Sequence, residues 1–228
     1  YKRQIPLLMT KYQKSFNNVK SLKQTFSFTF LLILSVPTMG VTTDRTIDTR
    51  VKTLLSQMTL EEKVGQMMQI DFSVIGLVTE QNAPQQIDLP KLEKIILHYH
   101  VGSILNTPNN MAQSIDTWHG IMTNIEQTTA KTRLKIPVLY GIDAIHGATY
   151  TQNATLFPQA INMAATFNPQ LSFKEGEITA QDVKASGLHW NFAPVLDIGR
   201  QPLWSRLWET FGEDVHLASI MAVSYTHL

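Results

Sequence analysis

Ile136-Pro137-Val138-Leu139-Tyr140-Gly141-Ile142-Asp143 is an almost unbroken apolar run that stops at a carboxylate. Runs of this kind suit strands buried on both faces, and such strands belong to parallel sheets covered by their crossover helices. Residues 188–192 (LHWNF) read as another short strand, closed by Pro194, and residues 101–105 (VGSIL) as one upstream. Residues 67–72 (MMQIDF) turn into a fourth.

Helical signals lie between these runs. Thr59-Leu60-Glu61-Glu62 has the form of a capping box, in which the Thr59 hydroxyl accepts from the Glu62 N–H and Glu62 reaches back to the Thr59 N–H. Leu60, Val64, Met67 and Met68 follow at helical spacing, the methionine pair reading as core filler. Pro90 opens a helix with Leu92, Ile95, Ile96 and Tyr99 on one face. Residues 109–129 read as a helix with Met111, Ile115, Trp118, Ile121, Met122 and Ile125 inward. Asn168-Pro169 is a cap and first-turn proline opening a helix to Ser186, and a last helix starts near Asp214. Strands alternating with helices of about 10–20 residues give a parallel α/β fold. No Gly-x-Gly-x-x-Gly or Walker-type loop supports a nucleotide-binding sheet. The pattern holds about four βα units where a closed (β/α)8 barrel has eight. The expected fold is α/β, a partial (β/α)8 barrel amounting to the first half to two-thirds of one, over residues 44–223.

Composition excludes several function classes. With 43% hydrophobic and 16% charged residues the chain can bury a core. It has no cysteine, so a disulfide scaffold, a thiolate metal site and a thiol nucleophile are ruled out. The net charge of +1 does not suit a dedicated nucleic-acid binder. That charge is an average of unlike parts. Residues 1–43 hold six lysines and arginines and no acid, whereas 44–228 hold the other 13 basic and all 18 acidic residues, so a +6 start precedes a −5 body. Residues 26–36 (FSFTFLLILSV) form an apolar run too short to span a bilayer, which takes about 20 residues. Basic, then apolar, then small is the order of a secretory signal peptide, assigned to 9–43 with Met9 as the start. The body is expected to be exported, periplasmic or secreted, without a stable membrane anchor. Residues 1–8 and 224–228 resemble translated sequencing-adapter read-through and are read as foreign to the protein.

Polar segments follow the strands. Tyr140-Gly141-Ile142-Asp143-Ala144-Ile145-His146-Gly147, Leu156-Phe157-Pro158, Asn191-Phe192-Ala193-Pro194-Val195-Leu196-Asp197 and Trp204-Ser205-Arg206, running on to Phe211-Gly212-Glu213-Asp214, occur in that order. Together with Thr59-Leu60-Glu61-Glu62-Lys63-Val64-Gly65-Gln66-Met67 they resemble the N-terminal barrel domain of glycoside hydrolase family 3, in the manner of bacterial periplasmic β-glucosidases. Ser205 and Val215 depart from the family's commonest residues, Gly and Pro.

The resemblance implies hydrolysis of terminal β-glucosidic bonds by a retaining double displacement, with one carboxylate as nucleophile and a second carboxyl as acid and base. Both of those groups are expected beyond this chain, so it has no catalytic residue of its own and is expected to be inactive alone. Asp143 matches the family's sugar-binding Asp, and Arg206 the Arg that reaches the same sugar; their plainer roles are a loop cap and an ion pair with Glu209 or Asp214. Glu209 is expected to orient Arg206. Asp197 is expected to bond backbone or Arg200, and His146 to support its loop rather than join His189 and Asp143 on a metal. Trp204 and Trp208 are expected to pack as loop wall. No cofactor and no metal is implied, and the partner is a β-glucoside or oligosaccharide. β-Xylosidase activity and a non-catalytic carbohydrate-binding remnant are the alternatives. N-terminal sequencing of the exported protein should find a start near Gly40; a start at Met9 would refute the leader.

Overall fold

The computed structural model describes residues 45–77 and 86–226. The leader assigned to 9–43 and the segment 1–8 lie outside the described residues. The elements are α1 (Arg45–Gln57), α2 (Leu60–Gln66), β1 (Gln69–Asp71), α3 (Leu89–Glu93), β2 (Ser103–Leu105), α4 (Ile115–Thr129), β3 (Leu139–Ile142), α5 (Ala160–Ala164), α6 (Pro169–Ala185), β4 (Trp190–Asn191) and α7 (Val215–Thr226). The four strands pair in parallel in chain order, β1-β2-β3-β4. One register row runs Ile70, Ile104, Tyr140 and the next Asp71, Leu105, Gly141, Trp190. This is the opening portion of a (β/α)8 barrel, as the alternation of four short strands with helices implied.

Local chemistry explains the elements. The Thr59 hydroxyl accepts from the Glu62 N–H at 3.2 Å and Glu62 accepts the Thr59 N–H at 2.8 Å, so the capping box that starts α2 is complete. Asn168 caps α6 by accepting from Gln170, ahead of Pro169. At the other end of α2, Gly65 accepts from the Gly102 N–H at 2.9 Å. A Cβ on Gly65 would lie 2.4 Å from the Tyr99 carbonyl oxygen, so glycine is what lets the helix end touch the approach to β2.

The core lies on one face of the sheet. Ile104, Tyr140 and Ile142 are fully buried with Trp118, Ile121 and Ile125 of α4, Leu92 and Ile96 of the α3 segment, and Val183 of α6. The Trp118 and Tyr140 rings meet edge to face at 5.4 Å. Each buried side chain of this size contributes about 1.5–3 kcal/mol. The opposite face carries Leu139, Gly141 and Trp190. There the Phe192 ring lies so close over Gly141 that a Cβ on Gly141 would be 2.3 Å from it. A smaller core joins α5, Phe211 and α7.

Several expectations change. The 136–142 run is not buried on both faces: Leu139 is 47% exposed, because helices cover only the Tyr140 and Ile142 side. Met67 and Met68 are 80% and 45% exposed rather than core, and Leu60 and Val64 of the same stripe are 72% and 47% exposed: of α2 only Gly65 is buried, so none of the described residues covers the stripe. The helix read from 109 starts at Ile115 instead, where Ser114 accepts from the Thr117 N–H. Pro108 and its neighbours form a separate 3-10 turn. The α3 helix passes into a π turn, Lys94–His98, which rotates Tyr99 out to 48% exposure. Among the described residues no helix is long and apolar enough to cross a membrane.

Glu175 of α6 is 2% exposed, and its Oε1 has no partner among the described residues. Burial pushes its carboxyl from an ordinary 4.5 up to about 7. The folded chain therefore holds this proton more tightly than the unfolded chain. The stability that goes with the neutral form is complete below 4.5 and is lost as pH rises through 7. Between about pH 5 and about pH 8 the native protein should lose about 2–3 kcal/mol at this site. Urea unfolding of Glu175→Gln, which cannot ionise, should show that decrement removed; an unchanged decrement would refute the assignment.

Candidate functional site

Parallel strands deliver their C-terminal ends to one edge of the sheet. Here Asp71 ends β1, Asn106 follows β2, Asp143 follows β3 and Asn191 ends β4. All four strand ends are polar, immediately after apolar residues. They are tied to one another. Asn106 donates its amide to Asp71, whose other oxygen accepts the Ser73 N–H at 2.8 Å. The Tyr140 hydroxyl donates to the Asn106 carbonyl at 2.8 Å. Burial pushes the Asp71 carboxyl up, but the bonds from Ser73 and Asn106 together outweigh it and hold the group below its usual range.

Asp143 is half-buried one residue beyond β3. The Tyr150 hydroxyl donates to its Oδ2 at 3.4 Å. Burial, and then the Asp143 charge, push the Tyr150 hydroxyl up to about 12, so it remains a donor. Tyr150 is itself placed by the buried Trp118, whose indole N–H donates to the Tyr150 carbonyl at 2.9 Å. The loop beyond Asp143 is closed by His146: its Nδ1 bonds the Phe157 carbonyl at 3.0 Å while its own carbonyl accepts the Phe157 N–H at 2.9 Å. Gly147 takes φ +98, and a Cβ there would sit 2.1 Å from the Thr155 carbonyl oxygen. The motif Ala144-Ile145-His146-Gly147 is thus a backbone-closed loop that carries Asp143 at its root.

Arg206 precedes the 3-10 turn Leu207–Glu209. Its Nε and Nη2 donate to one oxygen of Glu209, at 2.8 and 2.6 Å. Glu209 is well covered while the Arg206 side chain is 55% exposed, so the fork is fixed at one edge and open at the other. Glu209 first, and then the fields of Asp143 and Asp197, raise the Arg206 guanidinium above its already high range. The site thus places a fixed cation and a carboxylate within each other's field at the sheet edge. Such a pair suits a neutral polyhydroxyl ligand, with the carboxylate accepting and the guanidinium donating.

The other sequence-predicted residues fall as follows. Asp197 is exposed, and among the described residues it bonds neither backbone nor Arg200; its charge acts on Arg206 instead, because its loop runs alongside the Arg206 turn. His189 precedes β4, at the opposite end of the strand from the site, and lines a cavity of about 560 Å³ with Met122, Pro137 and Leu139. His146 and Asp143 therefore do not meet His189, and among the described residues no three His, Asp or Glu side chains group as metal ligands. Trp204 is partly covered, whereas Trp208 is 50% exposed rather than wall-packed. Asp71, Asn106, Tyr150 and Asn191 are not among the residues the sequence singled out. The signal for three of them is present: each is a polar residue at or just past the end of a short strand, directly after an apolar one.

The comparisons with known proteins agree with this geometry. The family model described as glycosyl hydrolase family 3 N terminal domain matches residues 59–227. A lysosomal beta glucosidase of Dictyostelium discoideum is 40% identical over 187 residues, covering 78% of this chain and 22% of that protein. A periplasmic beta-glucosidase of Salmonella typhimurium is 33% identical over 174 residues, covering 76% of this chain and 20% of that protein. The solved exo-1,3/1,4-beta-glucanase of a Pseudoalteromonas species superimposes with a TM-score of 0.67 at 29% identity, over 80% of this chain and 22% of that one. The chain spans about a fifth of the length of the curated relatives it matches. With the match running from the capping box of α2 to the end of α7, on a parallel sheet whose strand ends are polar, the chain belongs to glycoside hydrolase family 3 and carries its N-terminal barrel domain.

Proposed function

We propose that this chain is the sugar-gripping portion of an exported glycosidase that removes terminal β-glucosyl residues with retention of configuration. The observation that carries the reading is Asp143 at the end of β3 with the Arg206 charge beside it. In this reading the Asp143 carboxylate accepts from two adjacent hydroxyls of the non-reducing sugar. Arg206, held by Glu209, donates from its open edge to the same sugar. Both contacts tighten as the ring distorts toward the oxocarbenium-like transition state, so they favour the transition state over the ground state. The nucleophile and the acid/base are supplied by parts of the polypeptide outside these residues. Residues 9–43 serve as the leader, 44–223 as the working part of the barrel, and 1–8 are foreign; 224–226 instead continue α7, where Tyr225 is buried and donates to the Ala144 carbonyl. A leader-directed periplasmic or secreted location fits the periplasmic beta-glucosidase named above.

The full-length gene product, assayed on aryl β-glucoside and aryl β-xyloside in parallel, should prefer the glucoside. A preference for the xyloside would give the xylosidase reading, and sugar binding with no turnover would give the non-catalytic one. Asp143→Ala should lower kcat/KM by roughly a hundredfold, since two charge-assisted bonds are worth about 3 kcal/mol or more. A value near wild type would remove Asp143 from the site. Glu209→Gln should lower kcat/KM about tenfold but barely move the thermal midpoint, because an ion pair open to solvent on its Arg206 side contributes only about 0.2–1 kcal/mol to stability. A loss of stability matching the loss of activity would make the pair merely structural.

A further inference from the structure

We infer that Asn191 is a positioning residue for Asp143, an inference that rests on the sugar-binding role proposed for Asp143 above. In register, Asn191 stands opposite Ile142, and the Phe192 N–H donates to the Ile142 carbonyl at 2.8 Å. The main-chain ladder between β3 and β4 reaches no further. Beyond it the Asn191 side chain continues the pairing: its Oδ1 accepts the Ala144 N–H at 2.9 Å and its Nδ2 donates to the Ala144 carbonyl at 3.2 Å. A primary amide matched to the N–H and C=O of one residue in this way adds one more rung to the sheet. Ala144 is fully buried, so its N–H has no access to water if Asn191 is lost. Tyr225 also reaches the Ala144 carbonyl, at 3.2 Å, but the N–H is held by Asn191.

Asp143 therefore sits between two anchored residues, Ile142 in the ladder and Ala144 on the amide. Its own carboxylate has a long contact with Tyr150 and is left free for a ligand. Aspartate at 191 would keep the acceptor for the Ala144 N–H and lose the donor to its carbonyl. Alanine would lose both, and glutamine is one methylene too long to close the same ring.

The test uses the full-length gene product on an aryl β-glucoside. Asn191→Ala is expected to lower kcat/KM by about a hundredfold, the size of loss that a displacement of roughly 1 Å produces. Combined with Asp143→Ala it should cost nothing further, because Asn191 acts only through Asp143. A fold-disrupting role would instead multiply the two losses, and that result, or an Asn191→Ala enzyme as active as wild type, overturns the inference. Asn191→Asp carries the test if the alanine variant does not fold. Its activity relative to wild type should recover as the pH falls and a protonated carboxyl again donates to Ala144; a flat ratio across pH overturns the inference. If Asp143→Ala alone is fully active, the site reading itself falls, which is distinct from an active Asn191→Ala beside an inactive Asp143→Ala.

Discussion

A parallel strand pair cannot be closed by a tight turn, so the chain must cross back along the sheet before it can pair again. Repeated returns in chain order impose the geometry on which everything else in this molecule depends. Each crossover helix covers the same face of the sheet, which buries Ile104, Tyr140 and Ile142 and leaves Leu139 and Trp190 on the other. Each strand also ends on the same edge, so residues far apart in sequence become neighbours there. Asp71 and Asn106 bond directly across a gap of 35 positions, and Ala144 and Asn191 across one of 47. The site is a product of topology first and of individual side chains second.

Within that edge the charges are kept distinct by what surrounds them. Asp71 is satisfied by Ser73 and Asn106 and has little left to offer a ligand. Asp143 is supported chiefly through its backbone neighbours, and among the described residues its carboxylate accepts a hydrogen bond only from the Tyr150 hydroxyl, with the Arg206 charge within its field. Arg206 is held by a residue three positions away in its own turn, so its orientation is set locally and its open edge faces outward. The same residue types thus serve as mortar in one place and as ligand groups elsewhere along the edge. The difference lies in how many of their bonding positions the fold has already used.

Much of this is legible in the sequence, and the failures have physical causes. The capping box at Thr59 and the Asn168-Pro169 start of α6 are local signals, complete within a few residues, and each appears as expected; the apolar runs of the sheet appear as strands. The Glu209 grip on Arg206 is also within reach, since the two are close in sequence. What the sequence conceals is long-range. Period alone cannot tell a run covered on two faces from one covered on a single face, so it hides the exposure of Leu139. Helical spacing does not say whether anything covers a stripe, so it cannot place Leu60, Val64, Met67 and Met68 outside the core. The roles of Asn191 and Tyr150 depend on contacts made across a strand pair and through the buried Trp118, which no local pattern records.

The contact between Gly141 and Phe192 has an evolutionary consequence. The aromatic ring occupies the volume that any side chain at 141 would need. Neither position can be explored alone: enlarging 141 requires a smaller neighbour first, and shrinking 192 opens a void that glycine cannot fill. The two positions form an epistatic pair set directly beneath Asp143. Lineages that reshape this face of the sheet would have to pass through paired replacements, and that ratchet would make the Gly141–Phe192 pair slower to drift than the exposed residues around it.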